Sequence, residues 1–423
     1  MKKSLLAVAA LGAFASAAQA KSSVTVYGIL DMGYIGGSTR ASSSAITTNG
    51  GNTRVTTNKF GQSAESTSRL GFKGTEDLGG GTSAFFTAEF QLYPNDQYLS
   101  GNSSNKDAIS TTSQSGGLLN RQTFVGLKKD GIGQAAVGTQ YTPVFNAGTG
   151  TNPNGQNNMI GDLVYAGAPE VASVGGQAAG AVSVSQTNRT ANTLTAQTAN
   201  FGGFTGSAMY TLANANTSSV ANTAGVVTAG GNVNASGWGL GADFTIQKFY
   251  VAAAYQSLKQ LTSTTGVSGT PTTTTFNDWK TAQPSAGVAG SGLNVQDNQF
   301  LAGATYDFGI LKAYAQYISR KATSTASSNY YLKRSAEQIG VRSYITPTIE
   351  AWASGSLGRY TAFGANSPTA NMNAWQLGSN YYLSKRTNLY AIYGQQIIST
   401  TAVGTTGGSG SASNYAIGVR HTF

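Results

Sequence analysis

The final segment of the chain alternates between two kinds of side chain. Tyr415, Ile417, Val419, His421 and Phe423 fall on one face, and the residues between them, which are mostly small or polar, fall on the other. Such alternation predicts a β-strand with one apolar and one polar face. The sequence stops on an aromatic residue, and we interpret this segment as the strand that closes a membrane β-barrel.

The composition favours such a barrel over other classes. Charged residues make up only 10% of the 423 residues, against about 25% in soluble domains, while 21 Tyr, 17 Phe and 4 Trp are present. A barrel needs few charges because half of each strand faces lipid. The absence of Cys excludes thiol catalysis and Cys-based metal sites. The net charge is +10, but the Lys and Arg are scattered, so no nucleic-acid partner is expected.

Residues 1–20 have the features of a secretory signal peptide. Two lysines precede an apolar run from Leu5 to Ala18, and a small-x-small cleavage site ends at Ala20. The run is shorter than the ~20 residues that a spanning helix needs. We therefore expect cleavage near Ala20, export through the periplasm, and a barrel domain over residues 21–423 in the cell outer membrane.

Alternating segments of roughly ten residues recur along the chain. Phe86 and Phe90, for example, share one face of a predicted strand, and Phe85 and Glu89 share the other. Seven short and eight long connections, the first long one over residues 36–67, predict sixteen antiparallel strands with short periplasmic turns and long extracellular loops. A soluble secreted β-protein should carry more surface charge, and a β-helical adhesin should show a fixed internal period.

The longest connection runs over residues 142–189 and carries only two acids. A long connection without regular structure is usually functional or disordered. We interpret it as a loop that folds into the lumen and constricts the pore.

Several strings stand out against this pattern. The string Ser-Arg-Leu-Gly-Phe-Lys-Gly-Thr-Glu-Asp-Leu-Gly opens residues 68–81, and further strings cover residues 24–31, 120–127, 140–143, 200–204, 381–387 and 418–423. They resemble general-diffusion trimeric porins of the Gram-negative outer membrane, in their beta-proteobacterial branch. The resemblance implies a sixteen-stranded barrel, a homotrimer, loop three folded into the lumen and a ladder of arginines facing that loop.

Charge placed where a pore narrows sets its selectivity. Arg69 and Lys73 lie on the strand face opposite Phe72, so both are expected to point inward. Arg121 has the opposite parity to Phe124, which we assign to the lipid side. By position, Arg69 and Arg121 match two ladder arginines of the resembling family, whereas the position of a third is Thr139 here. Alternation also places three further bases inward: Lys312, Arg342 and Arg420.

The acidic side of the constriction is predicted to come first from the long loop. Asp162 and Glu170 are its acids, and opposed acids and bases would set up a field across the pore. Alternatively, either acid could face the backbone of the loop itself. Asp31 and Glu89, on inward faces of the first and third predicted strands, could add to the acidic side.

No constellation for bond-making chemistry is present. His421 is the single His and falls on the predicted lipid face, whereas a triad needs it inside a pocket. Glu76 and Asp77 are strand neighbours at a turn and point opposite ways, so they cannot act on one substrate. We therefore expect neither an enzyme nor a cofactor nor a metal site.

The sequence predicts an outer-membrane porin through which small hydrophilic solutes and ions diffuse passively, with mild anion preference. Its expected partners are outer-membrane lipids, those solutes and two further copies of itself. The alternative is a substrate-specific channel for sugars or amino acids, which would need a series of lumen aromatics; Tyr314 and Tyr390 are the inward candidates. An adhesin or an enzyme barrel is a more distant alternative.

Overall fold

The computed structural model describes residues 23–43, 53–94, 119–165, 186–217, 220–221, 227–228, 231–264, 295–324, 331–362, 369–401 and 408–423. The strands are β1 (Ser23–Ser43), β2 (Thr53–Gln62), β3 (Arg69–Gly79), β4 (Thr82–Gln91), β5 (Leu119–Lys129), β6 (Gly133–Tyr141), β7 (Arg189–Thr198), β8 (Phe204–Thr217), β9 (Val220–Ala221), β10 (Val227–Thr228), β11 (Gly231–Ile246), β12 (Phe249–Thr264), β13 (Val295–Asp307), β14 (Lys312–Ser324), β15 (Tyr331–Thr346), β16 (Ile349–Ala362), β17 (Thr369–Tyr382), β18 (Thr387–Thr401) and β19 (Gly408–Thr422). Helix α1 (Pro143–Thr151) lies between β6 and β7. The predicted signal peptide, residues 1–20, lies outside the described residues.

The sheet closes on itself. Neighbouring strands pair antiparallel around the wall, and β1 pairs with β19 from Ile29↔Thr422 to Ser43↔Gly408. Residues 23–29 of β1 pair with β3, and residues 32–41 pair with β2. Strands β2 and β3 are therefore two halves of one wall strand. Counted in this way, and without the short β9–β10 hairpin, the wall has sixteen strands. The prediction of a closed sixteen-stranded antiparallel barrel is confirmed.

The prediction of a long loop over residues 36–67 is wrong for most of these residues. Residues 36–43 continue β1, and β2 pairs with them through registers such as Arg40↔Arg54. These residues are mostly Ser, Thr, Gly and Asn, so they show no apolar alternation by which a strand could be recognised. Within this region, residues 63–68 interrupt the wall between β2 and β3 and fold inward.

The two faces of the wall have opposite character. In the last strand, Ile417 is 62% exposed and Tyr415 39% exposed on the outside, whereas Asn414 and Ala416 are buried on the inside. The same holds around the barrel: large apolar side chains such as Val125 stand exposed on the outside. A surface that is apolar outside and polar inside fits lipid around the barrel and water within it.

A row of aromatic side chains marks the outer face towards the end with the long connections. Phe60 contacts Tyr34 with ring centroids 5.9 Å apart, and Tyr34 lies 6.1 Å from Tyr415. Tyr393 is the register partner of Tyr415 and lies 5.2 Å from Trp375. We call Phe60, Tyr34, Tyr415, Tyr393 and Trp375 the outer aromatic row. Such rows mark the boundary between hydrocarbon and headgroups.

Helix α1 begins where β6 ends. The Thr142 hydroxyl accepts a hydrogen bond from the Phe145 amide at 3.2 Å, and Pro143 occupies the first turn, where its missing N–H costs nothing. The helix packs against β11, β12 and β13 inside the barrel. No helix among the described residues is long and apolar enough to cross a bilayer.

After α1 the chain crosses to the opposite wall. Asn152 donates to Gln316 of β14 at 3.2 Å, and Asn157 donates to Gln376 of β17 at 2.6 Å. Asn158 donates to the Ser63 carbonyl at 2.6 Å. The first described part of the connection, residues 142–165, therefore lies across the lumen and divides it.

Candidate pore constriction

A carboxylate shared by two arginines forms the centre of one wall of the lumen. Arg121 Nε lies 2.8 Å from Glu89 Oε1, and Arg69 Nη1 lies 3.9 Å from Glu89 Oε2. The Tyr27 hydroxyl also donates to Glu89 Oε2 at 3.2 Å. Glu89 therefore lies on the same side as the arginines, and its predicted place on an opposite acidic side is wrong. Glu89 is carried by β4, which lies between the strand of Arg69 and the strand of Arg121. Alternation within a single strand predicts which face a residue is on, but not which strands lie side by side.

A β-bulge brings Arg121 to the inner face. The β4–β5 register steps from Glu89↔Gln122 to Phe90↔Asn120, so Arg121 has no partner across the ladder. A bulge of this kind redirects a side chain and is common near functional sites. The Arg121 side chain is buried in the lumen wall as a result.

The lipid-side assignment of Phe124 is wrong. Val125 and Leu127 are the outward residues of this strand, at 62% and 56% exposure. Phe124 has the opposite parity and packs edge-on against Phe85 at 6.2 Å. The inward direction predicted for Arg121 is what the structure shows, but the bulge produces it and strict alternation does not.

Arg189, at the start of β7, completes the basic wall. Its guanidinium lies 5.5 Å from the centre of the Tyr141 ring, and the Tyr141 hydroxyl accepts from Arg121 Nη2 at 2.9 Å. Arg121 lies close enough to repel the charges of both Arg69 and Arg189. We call Arg69, Arg121 and Arg189 the arginine cluster. Sequence reasoning missed Arg189 because it follows the long loop and precedes the backbone irregularity at Asn192, where φ is +53°.

Lys73 lies beside the cluster on the periplasmic side. Its ammonium group is 5.4 Å from the centre of the Tyr27 ring, and the Lys73 side chain is exposed to the lumen. Tyr27 thus contacts both Lys73 and Glu89.

Asp31 points inward but does not face open water. It is fully buried and accepts hydrogen bonds from the Tyr390 hydroxyl at 2.6 Å and from the amides of Glu65 and Ser66 at 2.8 and 2.6 Å. The inserted residues 63–68 cover it. Asp31 therefore anchors this segment, and the expectation that it lines the acidic side of the pore is wrong.

Asp162 is likewise turned into its own loop. It accepts from Asn152 Nδ2 at 2.6 Å and from the amides of Val164 and Tyr165 at 2.9 and 2.7 Å, and it is 3% exposed. This is the alternative arrangement considered from the sequence. The other loop acid, Glu170, lies outside the described residues.

Two of the three further inward bases pair with acids. Arg342 pairs with Glu350 at 3.2 Å, with side-chain exposures of 24% and 5%. Arg420 pairs with Glu65 at 3.4 Å, with exposures of 24% and 8%. Lys312 stands 5.3 Å from the ring centre of Tyr314. In both ion pairs the base is nearer to the water and the acid is behind it.

Asp243 of β11 is a more exposed acid of the inner wall. It lines a cavity of about 210 Å³ between α1 and the wall, together with Phe124, Tyr141, Asn146 and Tyr250. Tyr390, considered from the sequence as a lumen aromatic, is buried against Asp31 and does not line the channel. Among the residues that the structure describes, no group of three or more His, Asp or Glu side chains could hold a metal ion.

A closed barrel with an apolar exterior, a polar interior and an inward-folded connection defines a membrane channel protein of the outer-membrane type. The chain matches the Gram-negative porin family over residues 7–401 and belongs to that family. Its place is accordingly the outer membrane.

Two curated relatives match parts of the chain. It is 35% identical over 142 residues to an outer membrane porin of Bordetella pertussis, and this aligned segment covers 33% of this chain and 34% of the relative. It is 44% identical over 101 residues to outer membrane porin protein 32 of Delftia acidovorans, and this aligned segment covers 24% of this chain and 25% of that relative. The matched segments thus span 34% and 25% of these relatives.

Solved structures share the fold over nearly the whole length. The anion-selective porin from Comamonas acidovorans has a TM-score of 0.60 and 21% identity, covering 95% of this chain and all of that one. OmpT of Vibrio cholerae has a TM-score of 0.56 and 14% identity, covering 95% and 98%. Identities this low show the fold alone.

Proposed function

We propose that the chain forms a water-filled channel through which small hydrophilic solutes and ions diffuse passively, with a preference for anions. The observation that carries the preference is the arginine cluster, in which three guanidinium groups lie around the single carboxylate of Glu89, and this carboxylate pairs with Arg69 and Arg121. The cluster keeps a positive charge excess where the inward-folded segment narrows the lumen.

The depth of the charges strengthens this preference. Side-chain exposure is 21% for Arg69 and 4% for Glu89, and the pairs of Arg342 and Arg420 have the same order. A passing ion therefore approaches the bases more closely than the acids. Because the interaction between charges falls with distance, the nearer bases outweigh the acids behind them.

Two comparisons support the proposal. The anion-selective porin from Comamonas acidovorans has the same fold, and selectivity of that sign is what this cluster would produce. OmpT of Vibrio cholerae is known in a trimer form that shares the fold at a TM-score of 0.54. We extend both properties to this chain, as a homotrimer of anion-preferring pores.

Planar-bilayer recording of the purified full-length protein tests the function. In a salt gradient, the reversal potential should have the sign of an anion-preferring pore, and conductance should appear in triplet steps. A reversal potential of the opposite sign would refute the anion preference. Single steps only would refute the trimer while leaving the channel intact.

A substrate-specific channel is the second candidate, and the cavity lined by Asp243 and Tyr250 favours it. A carboxylate beside aromatic rings and amides could hold a sugar or the amino group of an amino acid. Saturable block of the conductance by one such solute would support this candidate. A conductance that shows no saturable decrease at any concentration of sugar or amino acid would exclude it.

A further inference from the structure

One aromatic side chain contacts two members of the arginine cluster. The Tyr141 hydroxyl accepts a hydrogen bond from Arg121 Nη2 at 2.9 Å, and the centre of the Tyr141 ring lies 5.5 Å from the guanidinium carbon of Arg189. Tyr141 and Arg189 are also direct register partners on β6 and β7. A hydrogen-bond acceptor and an aromatic face both attract a guanidinium group. A single neutral side chain therefore touches two of the three cationic groups of the cluster.

Tyr141 reaches the lumen through an irregularity of β6. Val137 of the same strand is 56% exposed on the outer face, and strict alternation would place Tyr141 on that face too. The β6–β7 register shifts between Gly138 and Gln140, and beyond this shift Tyr141 lines the inner cavity beside α1. Irregularities of this kind redirect side chains and are common near functional sites. The fold thus departs from alternation at both Tyr141 and Arg121, the two partners of the hydrogen bond.

The two arginines differ in what else holds them. Arg121 also pairs with Glu89 at 2.8 Å. Arg189 forms no ion pair with any residue that the structure describes, and its Nη1 atom is buried without a hydrogen-bond partner. A long side chain with few contacts is free to adopt many rotamers. The position of the Arg189 charge therefore depends mainly on the Tyr141 ring.

The Tyr141 ring also packs against helix α1. Phe145, in the first turn of the helix, stacks on it with ring centroids 4.2 Å apart and planes inclined by 16°. Tyr165, after the crossing segment, contacts Phe145 edge-on at 6.3 Å. The start of the helix is also tied to the residue before β7, because the Thr142 amide donates to the Asn188 carbonyl at 3.0 Å. The stack therefore connects helix α1 to the arginines.

We propose that Tyr141 is a positioning residue for ion selectivity. Its hydroxyl and ring hold Arg121 and Arg189 at the lumen, and its stack on Phe145 makes their position depend on helix α1. The proposal rests on the anion preference proposed above. Because the Tyr141 side chain is neutral, it acts on permeating ions through the arginines. An uncharged residue of α1, Phe145, then also affects selectivity.

Reversal potentials in a salt gradient test whether the effect of Arg189 depends on Tyr141. Arg189→Gln should lower the anion-to-cation permeability ratio roughly fivefold when Tyr141 is present. In Tyr141→Leu the guanidinium loses its ring contact, and a charge that moves from ~8 Å to ~16 Å from the ion path keeps half of its interaction with the ion. Tyr141→Leu alone should therefore lower the ratio about twofold, and adding Arg189→Gln should lower it only about twofold further.

Tyr141→Phe and Tyr314→Leu are the matched controls. Tyr141→Phe keeps the ring, so Arg189→Gln should again have its full effect. Tyr314 is another inward tyrosine with a base close to its ring, since the Lys312 ammonium group lies 5.3 Å from the ring centre. Tyr314→Leu should leave the effect of Arg189→Gln unchanged. The two controls separate loss of the ring at position 141 from loss of the hydroxyl and from loss of a tyrosine elsewhere in the lumen.

Phe145→Leu tests the link to helix α1 without altering Tyr141. It removes the stacked ring but keeps an apolar side chain, so it should lower the permeability ratio and reduce the effect of Arg189→Gln, as Tyr141→Leu does. If Tyr141→Leu does not fold, Phe145→Leu carries the same comparison. An unchanged ratio in Phe145→Leu would overturn the dependence on the helix.

The proposal as a whole is overturned if Arg189→Gln lowers the ratio by the same factor in the wild type, in Tyr141→Leu and in Phe145→Leu. Failure of the proposed function would look different. A wild-type channel that prefers cations would refute the anion preference, whereas the factor by which Arg189→Gln changes the ratio would still measure its dependence on Tyr141.

Discussion

Glu89 lies behind Arg121 on one wall, with Glu89 Oε1 2.8 Å from Arg121 Nε. Charges that face each other across a lumen create a field across it, whereas charges stacked in depth on one wall leave the outer charge dominant. The bases of this barrel are the outer charges in the pairs of Arg69, Arg342 and Arg420. The acids then serve mainly to hold guanidinium groups in place.

Removing one arginine of the cluster should lower the anion preference. A unit charge ~8 Å from a passing ion in water contributes about 0.5 kcal/mol, favourable for an anion and unfavourable for a cation, so Arg69→Gln should reduce the anion-to-cation permeability ratio roughly fivefold. Reversal potentials in a salt gradient measure this ratio. Lys128→Gln is the control, because Lys128 pairs with Asp130 on the exposed periplasmic rim. An equal effect in both variants would show that total charge, and not the cluster, sets selectivity.

Glu89→Gln should change selectivity in the opposite direction. It removes the one carboxylate of the cluster while keeping the size of the side chain, so the permeability ratio should rise, by a smaller factor than Arg69→Gln lowers it because Glu89 lies farther from the passing ion. The same variant should lower stability, because Arg121 loses its ion pair in a buried position. A fall in anion preference would mean that Glu89 orients the arginines and does not act as an opposing charge.

The alternation of side chains was sufficient to predict the barrel, its closure by the last strand and the inward direction of most bases. It could not predict the interrupted second wall strand, because β2 is mostly Thr and other polar residues, with Phe60 as its one aromatic, and shows no apolar alternation. It also could not reveal the bulge at Arg121, which depends on the register between two strands. Residue parity holds only within an uninterrupted ladder.

The candidate site was predicted less completely than the fold for a related reason. Arg69 and Lys73 lie in a stretch of β3 whose ladder with β4 is uninterrupted, so alternation is enough to predict their place on the inner face. Asp31 and Asp162 were expected at the pore surface, but each is covered by irregular backbone that binds its carboxylate. Whether an inward acid meets water or backbone depends on segments without periodicity, namely residues 63–68 and the loop after α1.

Asp31→Asn should reduce stability without changing selectivity. The carboxylate accepts from Tyr390 and from two backbone amides, and an amide can satisfy these donors only in part. The expected loss is about 1–3 kcal/mol, measured by thermal unfolding in detergent. Asp130→Asn, in an exposed turn pair, should leave the unfolding temperature unchanged. A shift in reversal potential for Asp31→Asn would instead show that its charge is felt in the pore.

Gly394→Ala should displace the segment that crosses the lumen. A Cβ at Gly394 would collide with the Ile160 carbonyl, which lies directly against β18. Backbone on both sides leaves the methyl group no flexible neighbour to push aside, so residues 160–163 must move away from the wall and into the channel. Single-channel conductance should fall as a result.

Gly355→Ala is the matched control for this substitution. Gly355 lies in β16, which is separated from β18 by one wall strand, and a Cβ there would meet nothing within 4 Å. Both variants carry the same change in helix and strand propensity, so a difference between them reports the contact with Ile160. If Gly394→Ala conducts like Gly355→Ala and the wild type, the crossing segment does not limit the flow of ions, and the constriction must lie elsewhere along the channel.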